Sequence, residues 1–363
     1  MVAGTCKARV IEAGTAVERP LGRRSLWPRL TLGCAILLTA VMLSVAVGPA
    51  NVSLDATVRI LASHLPGVGI SESVSPAWRN IIWEVRLPRV LLAGTAGATL
   101  ALAGATYQGV FRNPLADPYL IGVATGANLG ATIVLVSGAD ASTHGFSVLP
   151  LAAFAGALIS VVVVYSVARV GGAAPGTTLV LAGVALSSLA TAITAYLMLK
   201  HTTNSLTIMS VVLGGFNTAT WVKLAWVLPY AIPAVLVILA HGRILNVLSL
   251  DEQQARQVGI DVERTKLILL GAASLAAAAV VAVSGTIGFV GLIVPHAIRL
   301  IWGPDNRALL PMALLLGASF LIGADLAARM IDQPSEIPVG IITAFCGVPF
   351  FLYLLRRSRT VAF

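Results

Sequence analysis

Long apolar stretches separated by short polar segments fill the chain from residue 30 to residue 355. A membrane-spanning helix needs about 20 mostly apolar residues, and ten stretches approach or exceed that length. Several contain glycine or proline, which spanning helices tolerate where neighbouring helices satisfy the freed backbone groups. The pattern predicts an all-α polytopic membrane protein. Its ten spans cover residues 30–48, 90–110, 119–137, 148–170, 178–199, 222–240, 265–283, 287–301, 309–330 and 337–355.

Composition supports a lipid environment for most of the chain. Of the 363 residues, 57% are hydrophobic and 11% are charged, whereas soluble domains carry about 25% charged residues. The cysteines Cys6, Cys34 and Cys346 are scattered, and so are the five histidines. No spacing typical of a metal site or a disulfide framework occurs, so we expect neither a metal nor a cofactor.

The distribution of basic residues predicts the orientation in the membrane. The net charge of +9 could indicate nucleic-acid binding, but cytoplasmic loops of membrane proteins also carry an excess of Lys and Arg. With the N-terminus in the cytoplasm, 17 of the 24 basic residues fall inside and 7 fall outside. We therefore predict no nucleic-acid partner, an uncleaved first span, and cytoplasmic tails at residues 1–29 and 358–363.

The sequence lacks the signatures of an enzyme or an ion-coupled transporter. No glycine is followed by Lys and then Ser or Thr, so the phosphate-binding loop of nucleotide hydrolases is missing. Asp325 is the main acid within a predicted span, whereas secondary transporters usually carry intramembrane ionisable groups. We therefore favour a transporter driven by a separate ATPase, with a secondary transporter or a multi-span enzyme as alternatives.

The segment NPLADPYLIGVATGANLGA, residues 113–131, places a proline-rich turn between two apolar runs. Pro114 prevents the preceding helix from continuing, and Asp117 with Pro118 prepares the next helix start. Glycines four residues apart allow helices to approach closely in lipid. We expect this spacing to pack the third span against a neighbour. The glycines are Gly122, Gly126 and Gly130.

The segment SLDEQQARQVGIDVERTK, residues 249–266, is the most hydrophilic of the predicted inside loops. Ser249 and Glu252 have the spacing of a capping box, and Gly259 is a typical C-terminal stop. Asp261 is suited to cap a second short helix. The segment therefore predicts two short helices, within residues 249–265, that project into the cytoplasm.

Four stretches together carry a family resemblance. They are RLPRVLLAGTAGATLALAGATYQGVFRNPLADPYLIGVATGA, SLDEQQARQVGID, SGTIGFVGLIVPHAIRLIWGPDNRALLP and SEIPVGIITAFCGVPFFLYLLRR. In order and spacing they resemble the permeases of bacterial ABC importers for iron–siderophore complexes, haem and cobalamin, over about residues 86–357.

The resemblance implies a type II ABC importer permease fold in the cytoplasmic (inner) membrane. It also implies a dimer with a second copy or a close paralogue, two cytoplasmic ATPase subunits and an extracytoplasmic binding protein. The cargo implied first is an iron chelate, with haem or cobalamin as alternatives.

The resemblance also assigns roles to individual residues. Gly176 departs from relatives that carry a hydroxyl residue there, and Arg329 has an acidic loop after it that could pair with it. His296 could ligate a metal, but a bond to a neighbouring helix is the favoured interpretation. The implied cytoplasmic gate is Asn113, Leu115, Gly176 and Thr177; the ATPase-coupling residues are Glu252, Ala255, Arg256, Gly259 and Ile260; the docking residues are Arg86, Arg89 and Arg329.

Overall fold

The structure is a computed structural model in which all regular structure of the described residues is helical. The described residues are 26–48, 52–63, 75–138, 148–169, 176–201, 209, 211–250, 252–333 and 335–359. In chain order the helices are α1 (Trp27–Ala46), α2 (Leu54–Ala62), α3 (Pro76–Asn80), a π-helical turn (Ile81–Arg86), α4 (Leu87–Val110), a 3₁₀ turn (Pro118–Ile121), α5 (Val123–Ser137), α6 (Val148–Ala168), α7 (Gly176–Lys200), α8 (Trp221–Ala240), α9 (Gly242–Leu250), α10 (Glu252–Gln257), α11 (Val262–Ser284), α12 (Val290–Trp302), α13 (Asn306–Met330) and α14 (Val339–Arg359).

Each of the ten predicted spans coincides with one helix. Among the described residues, seven helices are long and apolar enough to cross a membrane, and three more are shorter but apolar. The long ones are α1, α3–α4 taken as one helix, α6, α7, α8, α11 and α13; the short ones are α5, α12 and the apolar part of α14. The predicted all-α, ten-span architecture is therefore confirmed.

Helix α4 lies at the centre of the bundle and is buried along most of its length. It packs against α11, α12 and α13. A Cβ atom added at Gly97 would lie 2.1 Å from the carbonyl oxygen of Gly317 in α13. One added at Gly104 would lie 2.0 Å from that of Gly291 in α12. Glycine is therefore required where α4 meets these two helices backbone to backbone.

Helices α1, α6 and α7 form the periphery. In each of these helices, only 22% of the most apolar 18-residue stretch is buried. Large apolar side chains point away from the bundle, such as Ile159, Val167, Leu181 and Leu199. Since the backbone hydrogen bonds of a helix are satisfied internally, these surfaces can face lipid without cost.

The predicted glycine contact of the third span is present, with one change. Gly126 packs against α6, where its added Cβ atom would lie 2.5 Å from the carbonyl oxygen of Gly156. Gly122 has a different role, because it adopts φ +81° and separates the 3₁₀ turn from α5. The third span therefore starts with a bend instead of continuous α-helix.

The eighth predicted run also starts differently from the expectation. Residues 285–288 have no regular structure, and α12 begins only at Val290. Gly285 and Phe289 both have positive φ angles, +69° each. Hydropathy alone cannot distinguish such an extended apolar segment from the first turn of a helix.

The hydrophilic segment 249–266 forms helices with other boundaries than predicted. Ser249 lies inside α9, and its hydroxyl donates to the carbonyl of Asn246, 2.8 Å away. The prediction of a capping box from Ser249 to Glu252 is therefore wrong. Asp261 does cap a helix, accepting from the amide of Arg264 at 3.0 Å. That helix is the 23-residue α11, not a second short helix.

Candidate functional site

The turn after α4 is fixed by its own side chains and backbone. Asn113 accepts a hydrogen bond from the amide of Leu115, at 2.9 Å, as expected for an Asx turn. Asp117 accepts from the amide of Tyr119, at 2.8 Å, and so caps the 3₁₀ turn. Burial raises the pKa of the Asp117 carboxyl to about 6. The turn thus holds a defined conformation at the end of α4.

An open cavity of about 960 Å³ lies beside this turn. Asn113 and Leu115 line it from the turn, and Gly176 and Thr177 line it from the first residues of α7. Asn113 and Thr177 are exposed, and Leu115 is 38% exposed. The structure therefore brings the four sequence-predicted gate residues, 60 positions apart in the chain, to one cavity.

The apolar wall of this cavity was not singled out from the sequence. It consists of Leu120 from the 3₁₀ turn and of Val180, Leu181 and Val184 from α7. Leu181 and Val184 are 71% and 49% exposed. With Thr177 they follow the spacing of one helix face. The uniform hydrophobicity of α7 hid this face, because lipid-facing and cavity-facing positions carry the same residue types.

A second open cavity, of about 570 Å³, lies near the start of α14. Its walls come from residues 212–213, from the extended segment before α12, and from the first half of α14. The lining is almost entirely apolar, and Phe345 within it is 75% exposed. Both cavities are therefore open on the surface of a single chain.

A buried ionic cluster lies at the other end of α4. Asp325 of α13 accepts hydrogen bonds from Arg89 at 2.9 Å and 3.0 Å. The same carboxylate lies 3.0 Å from Nε of Arg329. Glu336, on the segment before α14, accepts from Arg89 at 2.9 Å. These four residues and Arg86 are called the arginine cluster below.

Two arginines of the cluster hold the end of α1. Arg86 donates to the carbonyl oxygens of Val45 and Ala46, at 2.9 Å and 2.8 Å. Arg329 donates to the hydroxyl of Ser44 at 2.6 Å and to its carbonyl at 3.2 Å. The last carbonyl groups of a helix lack intrahelical partners, so these guanidinium groups satisfy the end of α1.

The arginine cluster is buried, which bears directly on the predicted docking role. Arg86, Arg89 and Arg329 are only 4%, 8% and 3% exposed. A docking charge must reach its partner, and the charges of these three residues are occupied within the chain. Docking stays a prediction for them, and their burial in this conformation argues against it. The sequence did not reveal Glu336 as the partner of Arg89, 247 positions away.

The predicted coupling segment lies beyond α9 as α10, a turn and the start of α11. Gly259 adopts φ +83° and has open space around its Cβ position, so the predicted helix stop is present. Arg256 is exposed and lies 3.8 Å from Glu263, whereas Ile260 is half-buried. Ala255 is fully buried.

A contact of Ala255 with an ATPase stays a prediction, and its burial in this conformation argues against it. Val258, in the turn, is 68% exposed and is an apolar surface residue that the sequence analysis did not single out. Glu252 begins α10. The exposed surface of the segment thus combines the apolar Val258 with polar and charged side chains, the basic ones being Arg256 and Arg264.

A small cavity of about 70 Å³ connects the coupling segment with the gate turn. Glu263 and Lys266 line it from the first turns of α11, and Phe111 and Arg112 line it from the end of α4. Gly176 of α7 also borders it. The start of α11 therefore lies close to the residues beside the large cavity.

His296 of α12 faces helix α14 and is not part of a ligand cluster. Its ring lies 6.0 Å from the ring of Phe350 in an edge-on arrangement. Among the described residues, no three His, Cys, Asp or Glu side chains are placed to hold a metal ion. The ring therefore contacts a neighbouring helix, but its buried Nδ1 has no hydrogen-bond partner among the described residues, so the expected bond to that helix is not seen.

The geometry can now be compared with known proteins. A family model described as the FecCD transport family matches residues 36–357. The chain belongs to the FecCD transport family. Membership confirms the resemblance seen in the sequence, to permeases of ABC importers for iron–siderophore complexes, haem and cobalamin. The protein is a multi-pass membrane permease of this family.

Three relatives, which are named for different roles, align with most of the chain. It is 38% identical over 93% of its length to the uncharacterized ABC transporter permease protein YvrB of Bacillus subtilis, covering 96% of that protein. It is 45% identical over 78% to the cobalamin import system permease protein BtuC of Halobacterium salinarum, covering 75% of it. It is 37% identical over 92% to the hemin transport system permease protein HmuU of Yersinia pestis, covering 97% of it.

A solved structure confirms the fold. It is described as an inward-facing conformation of a metal-chelate type ABC transporter, and it matches with a TM-score of 0.78 at 29% identity. The match covers 91% of this chain and 99% of the other. The type II importer permease fold predicted from the resemblance is therefore confirmed.

Proposed function

We propose that the chain is the permease of an importer that moves an iron chelate across the cytoplasmic membrane, driven by ATP hydrolysis in a separate subunit. The observation that carries this proposal is the convergence of Asn113, Leu115, Gly176 and Thr177 on one open cavity. Haem or cobalamin is the second candidate cargo, because similar permeases carry those names. A secondary transporter remains the less favoured alternative.

The proposed orientation places the large cavity at the cytoplasmic face. The basic residues favour both termini on that side, and the turn at Asn113 lies on the inside under the same topology. The arginine cluster then lies at the extracytoplasmic face, about 30 Å away along α4, given a rise of about 1.5 Å per residue. The cavity at Asn113 is called the inner mouth below.

A second copy of the chain would complete the pathway. The two large cavities are open in one chain, and the walls that α7 and α14 contribute include exposed apolar side chains such as Leu181 and Phe345. Apolar patches of this kind mark interfaces or lipid contacts. We therefore infer a homodimer, or a dimer with a close paralogue, whose interface encloses the translocation path.

The coupling segment is the proposed contact with the ATPase. Val258 and Arg256 present an apolar and a charged contact on the exposed face of α10 and its turn. The 70 Å³ cavity between Glu263 and Arg112 places α11 beside the gate turn. Motion of two bound ATPase subunits would thereby reach the inner mouth through α11.

A binding protein would approach the end of the bundle that holds the arginine cluster. Glu336 is about one-third exposed and is the most accessible member of the cluster. If Arg86 and Arg89 take part in docking, replacing both with Glu should weaken binding most at low salt, because charge pairs steer association. If the affinity for the binding protein at low salt is unchanged in a complex that still assembles, these arginines have only a structural role within the chain.

The proposed function is tested with the purified complex in proteoliposomes. Permease, ATPase and binding protein are reconstituted together, and uptake is measured for iron(III)–desferrioxamine, haemin and cyanocobalamin. We expect uptake of one of these that requires ATP and the binding protein. The permease alone should show neither ATP hydrolysis nor uptake, and robust activity of either kind would contradict the proposal.

Two variants test the inner mouth directly. Leu115→Trp and Thr177→Trp add a large ring to the cavity and should reduce uptake while ATP hydrolysis by the complex continues. The control is Leu199→Trp, on the same helix as Thr177 but outside the cavity and 79% exposed. Wild-type uptake in both cavity variants would show that the cargo takes another route.

A further inference from the structure

The extended segment before α12 is held in place by two separate parts of the bundle. The amide of Gly215 donates to the carbonyl of Ser284 at 2.7 Å, and the hydroxyl of Thr286 donates to the carbonyl of Val212. On the other side, the hydroxyl of Tyr119 donates to the carbonyl of Ile287 at 2.9 Å. The segment is therefore fixed although it has no regular structure.

Phe289 closes this segment in a backbone conformation that bulky residues avoid. Its angles are φ +69° and ψ −20°, and it lies immediately before the first turn of α12. For a side chain with a Cβ atom, the left-handed region is sterically unfavourable. Such conformations persist only where surrounding contacts fix them, and they occur preferentially at functional positions.

The ring of Phe289 lies against the backbone of α14. A Cβ atom added at Gly347 would be 2.3 Å from Cγ of this ring. No residue other than glycine could occupy position 347 while the ring stays where it is. The pair Phe289 and Gly347 is therefore a direct contact between the fixed segment and α14.

Phe289 also separates two spaces in the described part of the chain. Above it is the 570 Å³ cavity, which it lines together with Leu213 and Gly340. Below it is a small apolar space of about 10 Å³, which it lines together with Leu115 and Phe350. Leu115 in turn borders the inner mouth. Phe289 thus borders both the upper cavity and the small space, and Leu115 borders both the small space and the inner mouth.

We propose that Phe289 is a barrier residue between the extracytoplasmic and the cytoplasmic halves of the translocation path, seated on Gly347 of α14. This inference rests on the proposed function, because it assumes that the two cavities belong to one path. Apolar constrictions block passage by excluding water and polar cargo. The anchored segment holds the ring in the path, and a movement of α14 would move Gly347 away from the ring.

The test uses the complete complex in proteoliposomes, with whichever of iron(III)–desferrioxamine, haemin or cyanocobalamin the wild type imports. Vesicles are loaded with that compound, and efflux is measured without ATP and without binding protein. Phe289→Ala and Phe289→Gly remove the ring, and we expect efflux to rise about tenfold, the effect of lowering a barrier by about 1.4 kcal/mol. Phe289→Leu retains apolar bulk and should restore most of the barrier.

Matched variants separate a barrier from ordinary packing. Phe154→Ala removes a ring of α6 that packs on Tyr230 and lines neither the upper cavity nor the small space, and its efflux should equal that of the wild type. Gly347→Ala displaces the ring and should raise efflux as Phe289→Ala does. Phe289→Gly relieves the backbone strain, so it remains informative if Phe289→Ala fails to assemble.

Each outcome has one meaning. Wild-type efflux from Phe289→Gly, in a complex that binds the ATPase and hydrolyses ATP normally, would overturn the barrier. Equal leaks from Phe289→Gly and Phe154→Ala would do the same, since loss of a ring elsewhere in the bundle would then suffice. If the wild-type complex imports none of the three compounds, the proposed function fails, independently of Phe289.

Discussion

The two ends of α4 differ in solvent exposure and in the kind of residues that they hold. At one end, five charged residues of the arginine cluster are largely withdrawn from solvent and hold α1, α4, α13 and the start of α14 together. At the other, the inner mouth leaves Asn113, Leu115 and Thr177 accessible around an open cavity. A path can open at the inner mouth only if the helices remain joined at the arginine cluster, so a transporter needs both regions.

The difference shows where sequence changes should affect folding and where they should affect transport. Removing one partner from a buried ion pair leaves an uncompensated charge, which is strongly destabilising. Substitutions on an exposed surface usually change stability little. Variants at the arginine cluster should therefore lower the stability of the permease, and variants at the mouth or the coupling segment should lower its activity.

The largest effect is expected at Asp325. Asp325→Ala leaves Arg89 and Arg329 without their shared carboxylate and should destabilise the permease by about 3–5 kcal/mol. The matched control is Glu336→Ala, since Glu336 is 34% exposed in its side chain and should cost less than about 1 kcal/mol. Thermal unfolding in detergent measures both, and equal losses would mean that burial does not distinguish the two acids.

The next effect is expected at the coupling segment, and it should concern activity. Gly259→Val places a β-branched residue at φ +83°, which should distort the turn. We expect normal amounts in the membrane but loss of uptake, with the ATPase dissociated or uncoupled. Gly259→Asn should retain more uptake, because Asn tolerates the left-handed region. Near-wild-type uptake in both variants would show that this turn does not transmit force.

A smaller effect on stability is expected at Arg86. Arg86→Lys keeps the charge but has a shorter side chain, so we expect its ammonium group to lose contact with the carbonyls of Val45 and Ala46, to which Nη1 of Arg86 donates. The loss should be about 1–2 kcal/mol, within the range for hydrogen bonds of charged groups. Limited proteolysis of the loop after α1 should then be faster. Unchanged proteolysis and an unchanged Tm would mean that α1 does not depend on this contact.

The smallest effect concerns the pH dependence of the gate turn. Burial raises the folded-state pKa of Asp117 to about 6 from its ordinary value of 3.8, so the folded state binds this proton more tightly than the unfolded state does. Stability should therefore increase as the pH falls through 6, by about 1 kcal/mol between pH 7 and pH 5. The difference in the free energy of unfolding between wild type and Asp117→Asn, measured at both pH values, should change by this amount; a constant difference would exclude ionisation of Asp117 as the cause.

The architecture could be predicted from the sequence, because a lipid environment requires long apolar helices and hydropathy detects them. The start of α12 was not, since Ile287 and Phe289 are as apolar as helix residues but belong to an extended segment. Local signals such as Gly259 and Asp261 predicted their turns correctly. The capping box predicted at Ser249 was wrong because α9 continues through this residue, and α9 is held by contacts with α4 and α13.

The candidate site was predictable only in part. The gate residues came from a family resemblance, and the structure places them around one cavity. The pairing of Arg89 with Glu336 and the seat of Phe289 on Gly347 join distant parts of the chain. Neither leaves a local pattern, so only the folded structure reveals them. The family resemblance implied docking by Arg86, Arg89 and Arg329, whereas their burial was not visible in the sequence.

The open inner mouth has a genetic consequence if the proposed two-fold dimer forms. A symmetry axis brings both copies of Leu115 and Phe289 to one shared path, whereas each arginine cluster stabilises only its own chain. A cell that makes wild-type and variant permease together should therefore show dominant inhibition by a mouth variant such as Leu115→Trp. An Asp325→Ala chain that fails to fold would be removed before assembly, and its defect should be recessive.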